Sequence, residues 1–393
     1  MFGPESLTPR STLKTCLELV RAAENITQFI PGSSNRRAWQ EFQNKLRAFY
    51  FFEHADSVLD LPRDRRVNDV EVVRRLACLE VADSIWAAEG FGRHYTNSHH
   101  RDQSSTRPWL TDTFARTARQ YLVPFHSGMG LAFADSWLNS TRGGAVERSE
   151  LQEFLFLCRT NARDEFVGAV YENLGLACRT QYPEMVRGID ELLTVLDPAI
   201  AAFFWHGVGR ALYFLPTGFF PNAGLISRAL QRAQEEPPHD LGRSNATAGV
   251  AWALTLVNMR QPKIMEDFLK NYGPWLSEGE AFANGVQSAL IIWHDCAGQD
   301  PLLRAFCEHR PDPADDEAVS LWDRYAGRPS EKAAENYGLL GNENHLGELF
   351  RDHSLSTWID TLRTGATSDG GDPAPGGKVW LETAGKSFEE KLR

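Results

Sequence analysis

The polar and apolar positions of this chain alternate with the period of an amphipathic helix along most of its length. Residues 11–30, STLKTCLELVRAAENITQFI, set Leu13, Leu17 and Val20 on one face behind an opening Ser. Residues 38–59 continue in the same manner. Residues 68–90, NDVEVVRRLACLEVADSIWAAEG, begin with an Asn/Asp cap and predict a helix running on towards Gly90. No stretch sustains the two-residue alternation of a strand, and no Asn-Gly or Asp-Gly turn separates β-rich runs. The pattern predicts an all-α fold.

Within these helices a second pattern stands out. Residues 203–214, FFWHGVGRALYF, carry two glycines in the middle of an apolar helix, although Gly in a helix interior costs about 1 kcal/mol against Ala. Aligned on the first glycine, six segments resemble one another: EGFGRHY (89–95), SGMGLAFAD (127–135), ENLGLACRT (172–180), HGVGRALYF (206–214), AGVAWALTL (248–256) and NGVQSALII (284–292). Their anchors, Gly90, Gly128, Asn173, Gly207, Gly249 and Gly285, lie 38, 45, 34, 42 and 36 residues apart. Such spacing is that of a helix hairpin per unit, the mark of a helical-repeat protein. Small residues at i and i+4 share one face and allow a neighbouring helix to come close. Two architectures fit: a closed α/α toroid of about six hairpins, or an open α-solenoid. Residues 1–80 lack the glycine line and read as an N-terminal helical cap, 81–362 as the repeat domain, and 363–393, which include GATSDGGDPAPGGK, as a flexible linker and tail.

Composition narrows the partners. The chain has 393 residues, 42% hydrophobic and 24% charged, an ordinary globular balance. Its net charge is −11, and its basic clusters, RDRR at 63–66 and VVRR at 72–75, sit beside acids. A nucleic-acid surface is therefore not expected. The longest apolar stretch, 197–216, contains His206 and Arg210 and predicts a buried helix and no membrane span. The opening MFGPESLTPRSTLK does not read as a secretory signal. Six scattered cysteines form no CxxC pair and suit reduced thiols. A cytoplasmic location is the expectation.

The segments FHSGMGLAFAD, FWHGVGRALYF and NYGPWLSEGEAFANGVQSAL together resemble an uncharacterised bacterial family that accompanies enediyne-type polyketide gene clusters and other specialised-metabolite loci. That family carries a GxGR, a GVGLA and a QGxxFA segment, matched here by Gly207–Arg210, Gly249–Ala253 and Glu278–Ala283, and the resemblance spans about residues 115–325. Glu278 stands where Gln is usual, and Ala251-Trp252 where Gly-Leu is usual. The resemblance implies a metabolic context and no chemistry.

Candidate chemistry sits beside the glycines. Glu89, Ser127, Glu172 and His206 each precede a first small position, and Arg93 and Arg210 occupy matching places in the first and fourth segments. Buried charges are costly unless paired, so Glu89 with Arg93 or Glu172 with Arg210 could form structural pairs. Alternatively, His206 and Glu172 could transfer a proton while Arg210 holds an anionic group. Glu89, Arg93, His126, Trp205, Tyr213 and Trp252 complete a ligand-binding set. No strand precedes the glycines and none supplies a dinucleotide fingerprint; Walker and GxSxG motifs are absent too. His294, Asp295, Cys296, Cys307 and His309 are weak metal candidates, and so are His94, His99, His100 and Asp102. The expectation is a cofactor-independent protein that binds or helps mature a hydrophobic, polyketide-like molecule. The alternatives are a cofactor-independent cyclase or isomerase using His206, Glu172 and Arg210, and a repeat scaffold for a protein partner.

Overall fold

A computed structural model describes residues 32–61, 69–100, 119–141, 144, 146–214, 224–276, 280–298, 300–342 and 345–353. Among the described residues there is no strand, and the fold is all-α. The helices are α1 (Ser33–Glu53), α2 (Ala55–Val58), α3 (Asp69–Leu76), α4 (Val81–His100), α5 (Leu122–Thr141), α6 (Arg148–Asn161), α7 (Val167–Gln181), α8 (Val186–Leu196), α9 (Pro198–Phe214), α10 (Leu225–Glu235), α11 (Asp240–Val257), α12 (Pro262–Tyr272), α13 (Ala281–Ala297), α14 (Pro301–Glu308), α15 (Asp316–Trp322) and α16 (Arg328–Asn342). The predicted helix over 11–30 and the tail from 363 onward lie outside the described residues.

Local signals account for many of the boundaries. Glu147 and Glu150 form a capping box before α6. Asp300 and Asp315 accept backbone N–H groups at the starts of α14 and α15, and Gly298, at φ 62°, ends α13. The single helix expected from residue 68 towards Gly90 is instead two, α3 and α4, with a turn at 77–80. The turn lets Val72 and Leu76 enter the core while Arg75 reaches back to the carbonyls of Leu59 and Asp60.

All six glycine-pattern segments lie in long helices: α4, α5, α7, α9, α11 and α13. Each packs on the next in that order. A Cβ added to Gly128 would lie 1.9 Å from the carbonyl oxygen of Glu89, and one on Gly92 would lie 2.4 Å from that of Phe125. The same reciprocal contact joins Gly207 to Glu172 and Gly175 to Phe204, then Gly249 to His206 and Gly209 to Ala246. Residue numbers rise on one helix as they fall on its neighbour, so these helices run antiparallel. Backbone rests on backbone at each crossing, where a side chain would hold the helices apart. The glycine cost is offset by the contact and burial this approach allows.

The antiparallel order differs from a stack of hairpins whose long helices all point one way. Along the chain a shorter helix (α6, α8, α10 or α12) lies between each long helix and the next from α5 to α13. Helix α13 also meets α4, so the first and last members of the row are in contact. Helix α1, within the expected N-terminal helical cap, packs against this array. The Phe52 carbonyl packs against Gly90 of α4, Asn44 donates to Asn258 Oδ1 beyond α11 at 3.0 Å, and Lys45 lies over the Tyr213 ring of α9 at 3.9 Å. Arg47 of α1 and Arg260, after α11, both bind Asp83 at the start of α4.

Candidate functional site

Helices α4, α5, α7 and α9 bring four of the polar residues that precede the small positions to one place. Arg210 is the centre. Its Nη1 donates to Glu172 Oε2 at 2.9 Å and its Nη2 to Glu89 Oε1 at 2.9 Å. Ser127 Oγ donates to Glu89 Oε1 at 2.7 Å and accepts from Arg210 Nη1 at 3.3 Å. His206 Nδ1 faces Glu172 Oε1 at 3.1 Å. Relative exposures of 4%, 0%, 1% and 2% for Glu89, Glu172, His206 and Arg210 place the network in the interior. Burial pushes the Arg210 guanidinium down, but the two carboxylates outweigh it and hold its pKa above the ordinary value. Trp252 of α11 completes the cluster, its ring 4.7 Å from the guanidinium. Behind it His206 packs edge to face with Trp252 and with Phe350, and the latter two rings are tilted on each other.

The departure of Asn173 from the glycine pattern now has a reason. Its Nδ2 donates to Ser127 Oγ at 3.0 Å, so the position keeps a polar side chain to tie α7 into the network. Four buried atoms of the cluster, Asn173 Oδ1, His206 Nε2, Arg210 Nε and Trp252 Nε1, have no hydrogen-bond partner.

Of the two expected ion pairs, Glu172–Arg210 is present, while Glu89 pairs with Arg210 and not with Arg93. The Arg93 side chain bridges Asp135 and Glu53 at 2.8 and 2.9 Å. Burial raises the Asp135 pKa, and Arg93 opposes it only in part. The idea that Arg210 holds an anion meets a further obstacle, since both its terminal nitrogens are taken by carboxylates.

The remaining expected site residues lie apart from the cluster. Trp205 Nε1 donates to Asp190 of α8 at 2.6 Å, and Tyr213 OH accepts from Asn258 Nδ2 at 2.9 Å. His126 is clamped between the Leu122 carbonyl at Nδ1 and the Arg163 backbone N–H at Nε2, against the Phe166 ring. Desolvation lowers its pKa to about 4. A buried histidine that stays neutral in the fold binds fewer protons than in the unfolded chain between about pH 4 and 6.5. Its contribution to stability is therefore expected to fall as pH drops through that window. Denaturant titrations from pH 7 to 4 check this: His126→Gln, which cannot titrate, should show a flatter profile than the parent.

Among the described residues no group of three or more His, Cys, Asp or Glu could hold a metal ion. His309 faces Glu266, and Asp295 accepts from Tyr337 OH. Side chains of the 99–102 cluster lie outside the described residues.

Above the Glu89–Arg210 pair opens a half-enclosed cavity of about 170 Å³, bounded by α1, α4, α5, α7 and α9. Its walls are chiefly Phe49, Phe52, Trp86, Leu131, Leu176 and Phe214, and Glu53, Arg93 and Asp135 also border it. Of these residues only Arg93, like Glu89 beneath, belongs to the expected ligand-binding set; the α1 residues were not legible in the sequence because α1 carries no repeat signal. No family model matches the chain, and comparison with curated proteins and with solved structures finds no match either. No helix among the described residues is long and apolar enough to cross a membrane.

Proposed function

We propose that this protein binds one small, largely apolar molecule in the cavity between α1, α4, α5, α7 and α9. The carrying observation is the form of that cavity: apolar and aromatic walls over a floor of fixed, hydrogen-bonded polar groups, the ordinary make-up of a small-molecule site. The buried network beneath it is pre-organised by four helices, which suits recognition more than adaptive contact with a protein surface. That the ligand is polyketide-like rests on the resemblance described above. Under this reading the long helices form a closed, ring-like array, with the α4–α13 contact and the crossing of Arg210 to Glu89 in its favour.

A second reading is favoured by one observation. His206 has Nδ1 on a carboxylate and Nε2 without a partner, the arrangement of an oriented proton carrier. It would become an acid or base only if ligand binding opened a path to it.

One experiment addresses both readings. Short polyenes and small aromatic polyketides are expected to raise the melting temperature in a concentration-dependent way. Leu176→Trp, which fills the cavity from a half-buried position, should abolish the rise. Ligand recovered unchanged supports binding; a rearranged product supports the enzyme. No stabilisation by any member of the panel overturns the cavity reading.

A further inference from the structure

The proposed cavity has a charge preference that its walls disclose. Both arginines that border it are already bridged by two carboxylates. Arg93 spends Nε and Nη2 on Asp135 and Nη1 on Glu53. Arg210 spends its terminal nitrogens on Glu89 and Glu172. Each cluster therefore holds two carboxylates to one guanidinium, a formal excess of one negative charge before the His206 imidazole is counted. An anionic ligand would meet no uncommitted cation and two negative clusters. A cationic ligand would meet the excess carboxylate field, amplified by the apolar walls around it.

The aromatic lining points the same way. Phe214 meets Phe49 and Trp86 edge to face, at centroid distances of 5.2 and 5.8 Å, and all three line the cavity. The Phe52 ring already carries a cation, the Arg93 guanidinium at 5.5 Å. Aromatic faces grouped beside unbalanced carboxylates are the usual means of recognising an alkylated ammonium, which is too apolar to hold water tightly.

We infer that the cavity selects a cationic apolar ligand, a molecule with a protonated or alkylated amine attached to a hydrocarbon body. This inference rests on the cavity reading above but can fail separately from it. The test uses three molecules of one length, octylamine, octanol and octanoate, titrated into the full chain at pH 7 by calorimetry. Octylammonium is expected to bind best, octanol next and octanoate least, with about a tenfold spread between the extremes. Glu53→Gln, a change at a half-exposed carboxylate, should weaken octylammonium several-fold while leaving octanol unaffected, which also shows that the fold is intact. If octanol or octanoate matches octylammonium, the cavity binds apolar molecules but the cation preference is wrong. If none of the three binds, the cavity reading fails and this inference goes with it.

Discussion

Arg210→Met is expected to lower the unfolding free energy by about 3–5 kcal/mol, the usual cost of leaving buried charge without its partner. The substitution keeps most of the hydrocarbon volume and the contact with Trp252, so the loss reports electrostatics more than packing. Glu89 and Glu172 would face each other in an interior where they are 4% and 0% exposed. Ser127 and His206 would remain as their hydrogen-bonding partners, too few to compensate two anions. Urea denaturation measures the effect. The triple variant Arg210→Met/Glu89→Gln/Glu172→Gln should recover much of the loss, because it removes the charges together. A single variant within about 1 kcal/mol of the parent would show that the network is not held by charge pairing.

The second large effect belongs to the helix crossings. Alanine at Gly128, Gly207 or Gly249 is expected to destabilise by about 2–3 kcal/mol in each case. All three together should remove most of the roughly 5–15 kcal/mol that holds an ordinary domain. The reason is geometric. The added Cβ would lie 1.9, 1.9 and 2.0 Å from the carbonyl oxygens of Glu89, Glu172 and His206, and those atoms belong to a neighbouring helix backbone that cannot rotate away. Two helices must separate, and the polar network between them opens as they do. Gly188 in α8 serves as the control, since nothing lies within 4 Å of its would-be Cβ. Alanine there should stabilise by about 0.5–1 kcal/mol through helix propensity. Thermal and urea unfolding of the four variants give the comparison; equal effects at Gly188 and Gly207 would refute close packing as the purpose of the glycine line.

The glycine line also explains why the site was partly readable in one dimension. The carbonyl under Gly128, Gly207, Gly249 and Gly285 belongs to the residue that precedes the neighbouring first small position. The side chains of those residues, Glu89, Ser127, Glu172 and His206, are therefore carried to the same layer of the array. Fixed spacing from a packing residue made convergence predictable. Which charges would pair was not predictable in the same way. Arg93 and Arg210 hold equivalent positions in their segments, yet only Arg210 is buried, between Glu89 of α4 and Glu172 of α7, while Arg93 reaches Glu53 of α1 and Asp135 near the end of α5. Trp205, Tyr213 and His126 flank the same segments but turn to connectors and end turns, since adjacent positions on a helix face in different directions.

The sequence alone determined the helical fold and the six closely packed helices, because hydrophobic period and backbone approach are set by residues near one another in the chain. It also determined the set of polar groups held at the crossings. Only the tertiary structure decided that neighbouring helices alternate in direction, that α1 closes one side, and that a cavity opens over Glu89 and Arg210. Those features depend on contacts between distant segments, 121 residues apart in the Arg210–Glu89 pair and 214 in the Asn44–Asn258 pair. Local patterning carries no information about which distant surfaces will meet.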